Sequence, residues 1–161
     1  MASELWRNSY GRGAVFDEIV FRNGRNSMES LIPTKLVFFI GGFGPGWEVR
    51  WEEGKLSYRC GFFGEGTEIG HERIPTEAEW QEFWRGVETA KVWEWRKKYS
   101  QPVLDGTSWS LEIVYNGKRL RSRGDNGYPG SDDSNYDEHG PFGILLKAII
   151  KLGHVPKDYW S

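Results

Sequence analysis

Three histidines and one cysteine are the side chains of this 161-residue chain best suited to acid–base, metal or nucleophilic chemistry. His71, His139 and His154 lie far apart, and none sits in an H-E-x-x-H pair or a similar spacing that aims two imidazoles at one metal. Cys60 alternates with Leu56, Tyr58 and Phe62, which puts the thiol on an apolar strand face and predicts an inert buried sulfur. A lone cysteine also forms no internal disulfide and implies no oxidising compartment. No Gly-x-Ser-x-Gly elbow, phosphate loop or dinucleotide fingerprint occurs; the glycine-rich stretch 61–70 lacks the following Lys-Ser/Thr pair. Glu65, Glu68 and His71 could form a hydrolytic set only if a fold brought them together. No catalytic residue, metal ligand or cofactor is assigned.

The charged residues offer more. Arg119, Arg121 and Arg123 alternate along one predicted strand, so they share a face. On an open sheet they would line up with Glu112, Arg50, Glu48 and Glu52. Such a stripe suits a phosphate or an acidic protein, or simply cross-strand ion pairs. The following segment is acidic at Asp132, Asp133, Asp137 and Glu138. Asp133, Asn135 and Asp137 have the spacing that begins a calcium loop, but the required Gly and closing Glu are missing. Arg123-Gly124-Asp125 spells an adhesion tripeptide, a three-letter match that recurs by chance. These seven residues, Arg119, Arg121, Arg123, Asp132, Asp133, Asp137 and Glu138, are the candidates for partner binding.

Aromatic residues are abundant: nine Trp, seven Tyr and nine Phe, beside 21 Gly. Trp47, Trp51 and Trp109 alternate with Val49, Leu111 and Ile113, which predicts rings filling the space between a sheet and its helices. Exposed, the same rings would make a stacking platform for sugars or bases. Trp160 is the ring expected at the surface. A second motif-like run joins Asp105-Gly106-Thr107-Ser108-Trp109 to Ser122, Gly124, Asn126, Tyr128 and Pro129. It assigns no activity by itself.

The elements that must position these groups follow from periodicity. Residues 1–34 read as a polar arm with an apolar island at Val15, Phe16 and Ile19-Val20-Phe21, and 35–161 as one domain. Leu36–Phe43, Trp47–Glu52 and Leu56–Phe62 form a meander, with Glu53-Gly54 turning the chain. Thr76 and Glu79 make a capping box for a helix whose stripe is Trp80, Phe83, Trp84 and Val87. Residues 93–99 read as extended, with a continued helix as the alternative. Asn116-Gly117 joins Trp109–Tyr115 to Lys118–Arg123 as a hairpin. A long loop spans 124–141, and Phe142–Leu152 forms a second helix with Gly153 after its end. The expected fold is α+β: a single antiparallel sheet of about five or six strands with two helices packed on one face.

A net charge of −2 argues against nucleic acid held by bulk charge. The longest apolar run, Leu36–Ile40, falls far short of the ~20 residues a spanning helix needs. The first residues lack a signal-peptide pattern, so a cytoplasmic protein is expected. The leading functional expectation is a non-catalytic macromolecule-binding domain with a protein partner, of inhibitor or immunity type. The alternatives are a small hydrolase with a loop-borne Glu/His site and a carbohydrate-binding module using exposed Trp.

Overall fold

The computed structural model describes residues 30–62, 67–132 and 134–159. The chain divides into two units, Met1–Leu31 and Ile32–Ser161. The island at 15–21, most of the arm expected over 1–34, and Trp160 therefore lie outside the described residues.

The elements run β1 (Lys35–Gly41), β2 (Gly46–Glu52), β3 (Lys55–Phe62), β4 (Thr67–Arg73), α1 (Glu77–Thr89), a 3-10 turn (Val92–Glu94), β5 (Lys98–Ser100), β6 (Ser108–Tyr115), β7 (Lys118–Asp125), α2 (Pro141–Gly153) and a final 3-10 turn (Lys157–Tyr159). One sheet of seven strands has the order β4-β3-β2-β1-β6-β7-β5. Every pairing is antiparallel except β5 with β7, which is parallel.

This corrects the expected count of five or six strands and the expected purely antiparallel sheet. β4 is unforeseen, and β5 falls at the end of the stretch 93–99 that reads as extended; both are edges. β4, Thr-Glu-Ile-Gly-His-Glu-Arg, has one aliphatic residue and no apolar alternation, because a polar edge gives little periodic signal. β5 is three residues long, too short for a period to register. The stretch 93–99 is neither wholly extended nor a continued helix: Trp93 and Glu94 belong to the 3-10 turn, and the chain extends only from Lys98. The loop after β7 starts at Asn126, two residues later than expected.

The turns follow their residue types. Asn116 and Gly117 take φ of 48° and 73°, and Glu53 and Gly54 take 52° and 77°, the left-handed pairs that two-residue hairpins require. Thr76 Oγ1 accepts from the Glu79 backbone N–H, while the Glu79 carboxylate accepts from the Thr76 N–H. At the end of α2, Gly153 remains helical and His154 takes the left-handed position at φ 50°. Gly153 is small for another reason: an added Cβ would lie 2.6 Å from a Val49 methyl.

Both helices cover the same face of the sheet. Leu36, Phe38, Trp47, Val49, Leu56, Tyr58, Trp109, Leu111 and Ile113 point into it, and α1 and α2 return Trp80, Phe83, Val87, Phe142, Leu145 and Ile149. Trp47 and Trp109 are 4% and 2% exposed, and Trp51 is half-buried with its ring edge-on to Trp80 at 5.3 Å. The rings are therefore core, as their alternation predicts. The two helices approach closely at Gly86, where a Cβ would meet that of Ala148 at 2.6 Å.

Candidate functional site

The period of two that buries the rings sends the intervening residues to the opposite face, on which no helix among the described residues packs. That open face has two halves. On β2–β4 the charges satisfy one another. Arg50 donates to both Glu48 oxygens at 2.9 and 3.0 Å and lies 4.0 Å from Glu52, while Lys55 pairs with Glu72 at 2.9 Å. Between the halves, the Phe39 ring lies over the backbone of Gly41 and Gly46, where a Cβ would come within 2.9 and 3.0 Å of it.

On β1, β6 and β7, Glu112 gathers three cations: Lys35 Nζ at 2.9 Å, Arg119 at 2.7 Å and Arg121 Nε at 2.9 Å. The Lys35 ammonium first, then both guanidiniums, outweigh burial and hold the Glu112 carboxyl at about 2. Glu112 and Arg121 of this knot also line a groove of about 500 Å³, together with Val37, Ser110, Lys97, Lys98 and Arg123. Lys98 is the register partner of Arg123 across the parallel β5–β7 pairing. Among the described residues, Lys97, Lys98 and Arg123 form no ion pair.

The expected arginine stripe thus exists, and its members differ. Arg119 and Arg121 are engaged by Glu112; Arg123 is not. Arg50, Glu48 and Glu52 share the face but stand beyond β1 and pair among themselves. Among the described residues, the acidic segment forms no ion pair with the stripe. Its loop packs Tyr128 and Tyr136 against Phe142 of α2, on the helix side of the sheet. There Asp137 accepts the His139 backbone N–H, and Glu138 lies 3.2 Å from His139 and 3.4 Å from Lys147. Asp132 is exposed, and its carbonyl accepts from the Gln101 amide; Asp133 lies outside the described residues. Lys97 and Lys98 were missed because the crossover that seats β5 beside β7 leaves no mark in local periodicity.

His71 and His154 serve the fold. His71 Nε2 is 3.0 Å from the Gly153 carbonyl, and Arg73 donates to the Leu152 carbonyl at 2.6 Å, so edge strand β4 caps the end of α2. Arg73 also donates to both Glu79 oxygens, at 2.6 and 2.7 Å, and His154 Nε2 lies 3.0 Å from Glu79 Oε1. Burial opposes ionisation of Glu79, yet Arg73, the Thr76 N–H and His154 together hold its carboxyl at about 2. This clasp fastens β4, the start of α1 and the end of α2. Glu65 and the Glu68 side chain lie outside the described residues. Cys60 is buried at 2% exposure.

The motif-like run is also structural. Trp109 Nε1 donates to the Gly127 carbonyl at 2.9 Å, and the Thr107 N–H donates to Asn126 Oδ1 at 2.8 Å. Gly124 leaves room for the indole, since a Cβ there would fall 2.0 Å from Trp109 Nε1. Ser122 Oγ donates to the Arg96 carbonyl at 2.7 Å. Burial pushes the Tyr128 phenol up, although a hydrogen bond with Thr107 works the other way. These residues lock β6, β7 and the loop after it. Compared with known proteins, the chain matches no family model and no curated sequence, so the site must be read from its own geometry.

Proposed function

We propose that this chain is a non-catalytic macromolecule-binding domain, of protein-binding, inhibitor or immunity type, and that the cation-rich half of the open face is its docking surface. One observation carries the reading: Lys97, Lys98 and Arg123 line a groove and form no ion pair among the described residues, the groove's own carboxylate, Glu112, being held by Lys35, Arg119 and Arg121, while charges on the other half are paired internally. Unspent charge at an accessible groove is available to steer and orient a partner of opposite sign. The folding role of the histidine cluster and the burial of Cys60 favour binding over the hydrolase alternative. The burial of Trp47 and Trp109 favours it over a carbohydrate platform.

The test is affinity capture from extracts of the native host with the full chain, beside the same chain carrying Arg123→Glu and Lys98→Glu. A stoichiometric protein held by the wild type and lost by the variant supports the reading. Equal recovery by both, or no stoichiometric protein from the wild type, overturns it.

A further inference from the structure

We infer that the groove recognises carboxylates, and that its occupant is an extended acidic segment of a protein partner with Asp or Glu at alternate positions. The inference rests on the docking surface proposed above and adds the chemistry of the ligand.

The electrostatic complement is local. The β1–β6–β7–β5 half of the face carries Lys35, Lys97, Lys98, Arg119, Arg121 and Arg123 against Glu112 and Asp125. Glu112 already accepts from three cations, and Asp125 accepts from the Ser108 hydroxyl at 3.0 Å. Neither forms an ion pair with Arg123 or the two lysines, and six cations against two carboxylates leave this half with an excess of positive charge.

Spacing then selects the shape of the ligand. Arg121 and Arg123 are alternate residues of one strand, so their Cα atoms stand roughly 6.6 Å apart. Alternate residues of an extended peptide have the same repeat. Two carboxylates at positions i and i+2 would each meet one guanidinium, with Lys98 beside the second. Val37 and Ser110 are small and uncharged and leave space for a peptide backbone, and Glu112, the carboxylate in the lining, is held by its three cations.

A polyanion has less to hold it. Single-stranded nucleic acid needs rings on which bases stack. The exposed rings of Phe43 and Phe62 gather with Phe39 at a separate hollow, and no aromatic residue lines the cationic groove among the described residues. A strand longer than the groove would also run onto the half carrying Glu48, Glu52 and Glu72.

Fluorescence anisotropy with the full chain tests this directly, using a short labelled peptide that alternates Glu and Ser. The controls are the same peptide with Gln for Glu, and a labelled oligothymidylate. The expected result at low salt is binding of the Glu peptide, weaker binding of both controls, and decline as salt rises. Arg123→Glu with Lys98→Glu should weaken the Glu peptide at least about tenfold. The milder pair Arg123→Gln with Lys98→Gln should weaken it in the same direction, and Lys55→Gln on the self-paired half should leave it unchanged. Circular dichroism of each variant separates lost binding from lost fold. Equal binding of the Gln peptide, equal binding by the folded double variants, or tighter binding of the oligonucleotide would each overturn the inference. Should host capture yield a face-dependent partner while the Glu peptide does not bind, the docking surface stands and its carboxylate chemistry falls; failure of both removes both.

Discussion

The two faces of this sheet are built from the same strands by alternate residues, yet they answer to different physics. Trp109 is sealed against Trp95, Tyr99 and Phe142, while its neighbour Ser110 lines an open groove. Leu120 is core; Arg121, next along, is 64% exposed at its side chain and pairs with a carboxylate in contact with water. On the covered face, Trp95 Nε1 donates to the Ala90 carbonyl and Ser122 Oγ to the Arg96 carbonyl, whereas the buried Trp80 Nε1 has no hydrogen-bond partner among the described residues. Close packing there makes each atom costly to remove. On the open face, solvent stands in for a lost partner, so residues can change with little loss of stability. The covered face fixes where each strand lies, and the open face is where recognition can be tuned.

Trp109→Ala breaks the comparison hardest on the covered side. It removes a ring at the centre of the aromatic cluster and leaves the Gly127 carbonyl without its indole donor. The expected loss is about 3–5 kcal/mol in urea unfolding. An unchanged midpoint would mean that the ring is not core and that the faces are assigned the wrong way round.

How far the sequence carries this division depends on the strand. β2 and β3, and β6 up to Ile113, alternate apolar with other residues, so their faces are legible from Trp47, Val49, Leu56, Tyr58, Trp109 and Leu111 alone. Thr76 with Glu79, and Asn116 with Gly117, announce their cap and turn by local chemistry. The edge β4 pairs with its sequence neighbour β3 but carries no apolar alternation, and the edge β5 pairs with β7, distant in sequence, so local periodicity marks neither. For the same reason the arginine stripe was legible and its neighbours Lys97 and Lys98 were not. The burial of Arg73 and Glu79 as a clasp on α2 also depends on tertiary placement: their charges suggest solvent, whereas Arg73 is 17% exposed at its side chain.

That clasp gives the second prediction. Arg73→Ala removes the donor to the Leu152 carbonyl and the guanidinium paired with both Glu79 oxygens, leaving the half-buried Glu79 carboxylate with only the Thr76 N–H and His154. A loss of about 1–3 kcal/mol is expected. Acid should reveal the same contact. The Glu79 and Glu112 carboxyls sit at about 2 in the folded protein, against an ordinary 4.5. A depressed carboxyl stabilises the fold above the ordinary value, and that contribution disappears as pH falls from about 4.5 toward 2. Wild-type stability should therefore decline across this window. Glu79→Gln should start lower at neutral pH and decline less steeply, because it has no charge left to lose. Parallel wild-type and variant profiles would exclude Glu79 from the acid response.

The third prediction concerns the capping box. Thr76→Ala removes the side-chain acceptor for the Glu79 N–H but leaves the Arg73–Glu79 pair in place. Its expected cost is about 1 kcal/mol by thermal or urea unfolding. A loss as large as that of Arg73→Ala would show that the cap organises the clasp, rather than adding to it.

The smallest effect should come from the open face. Arg119 is 55% exposed at its side chain, and Glu112 keeps Lys35 and Arg121 when it is removed. Arg119→Ala is therefore expected to cost about 0–1 kcal/mol, with the difference shrinking as salt is added. Glu112→Gln sharpens the point from the other side. It leaves three cations without their shared carboxylate, so like-charge repulsion should lower stability more than Arg119→Ala does, while the acidic peptide should bind more tightly to the more cationic groove. Opposite signs for stability and affinity in one variant are what a recognition surface predicts. If Glu112→Gln instead weakens both together, the Glu112 knot is a structural fastener like that at Glu79, and the two faces differ less in kind than their solvent exposure implies.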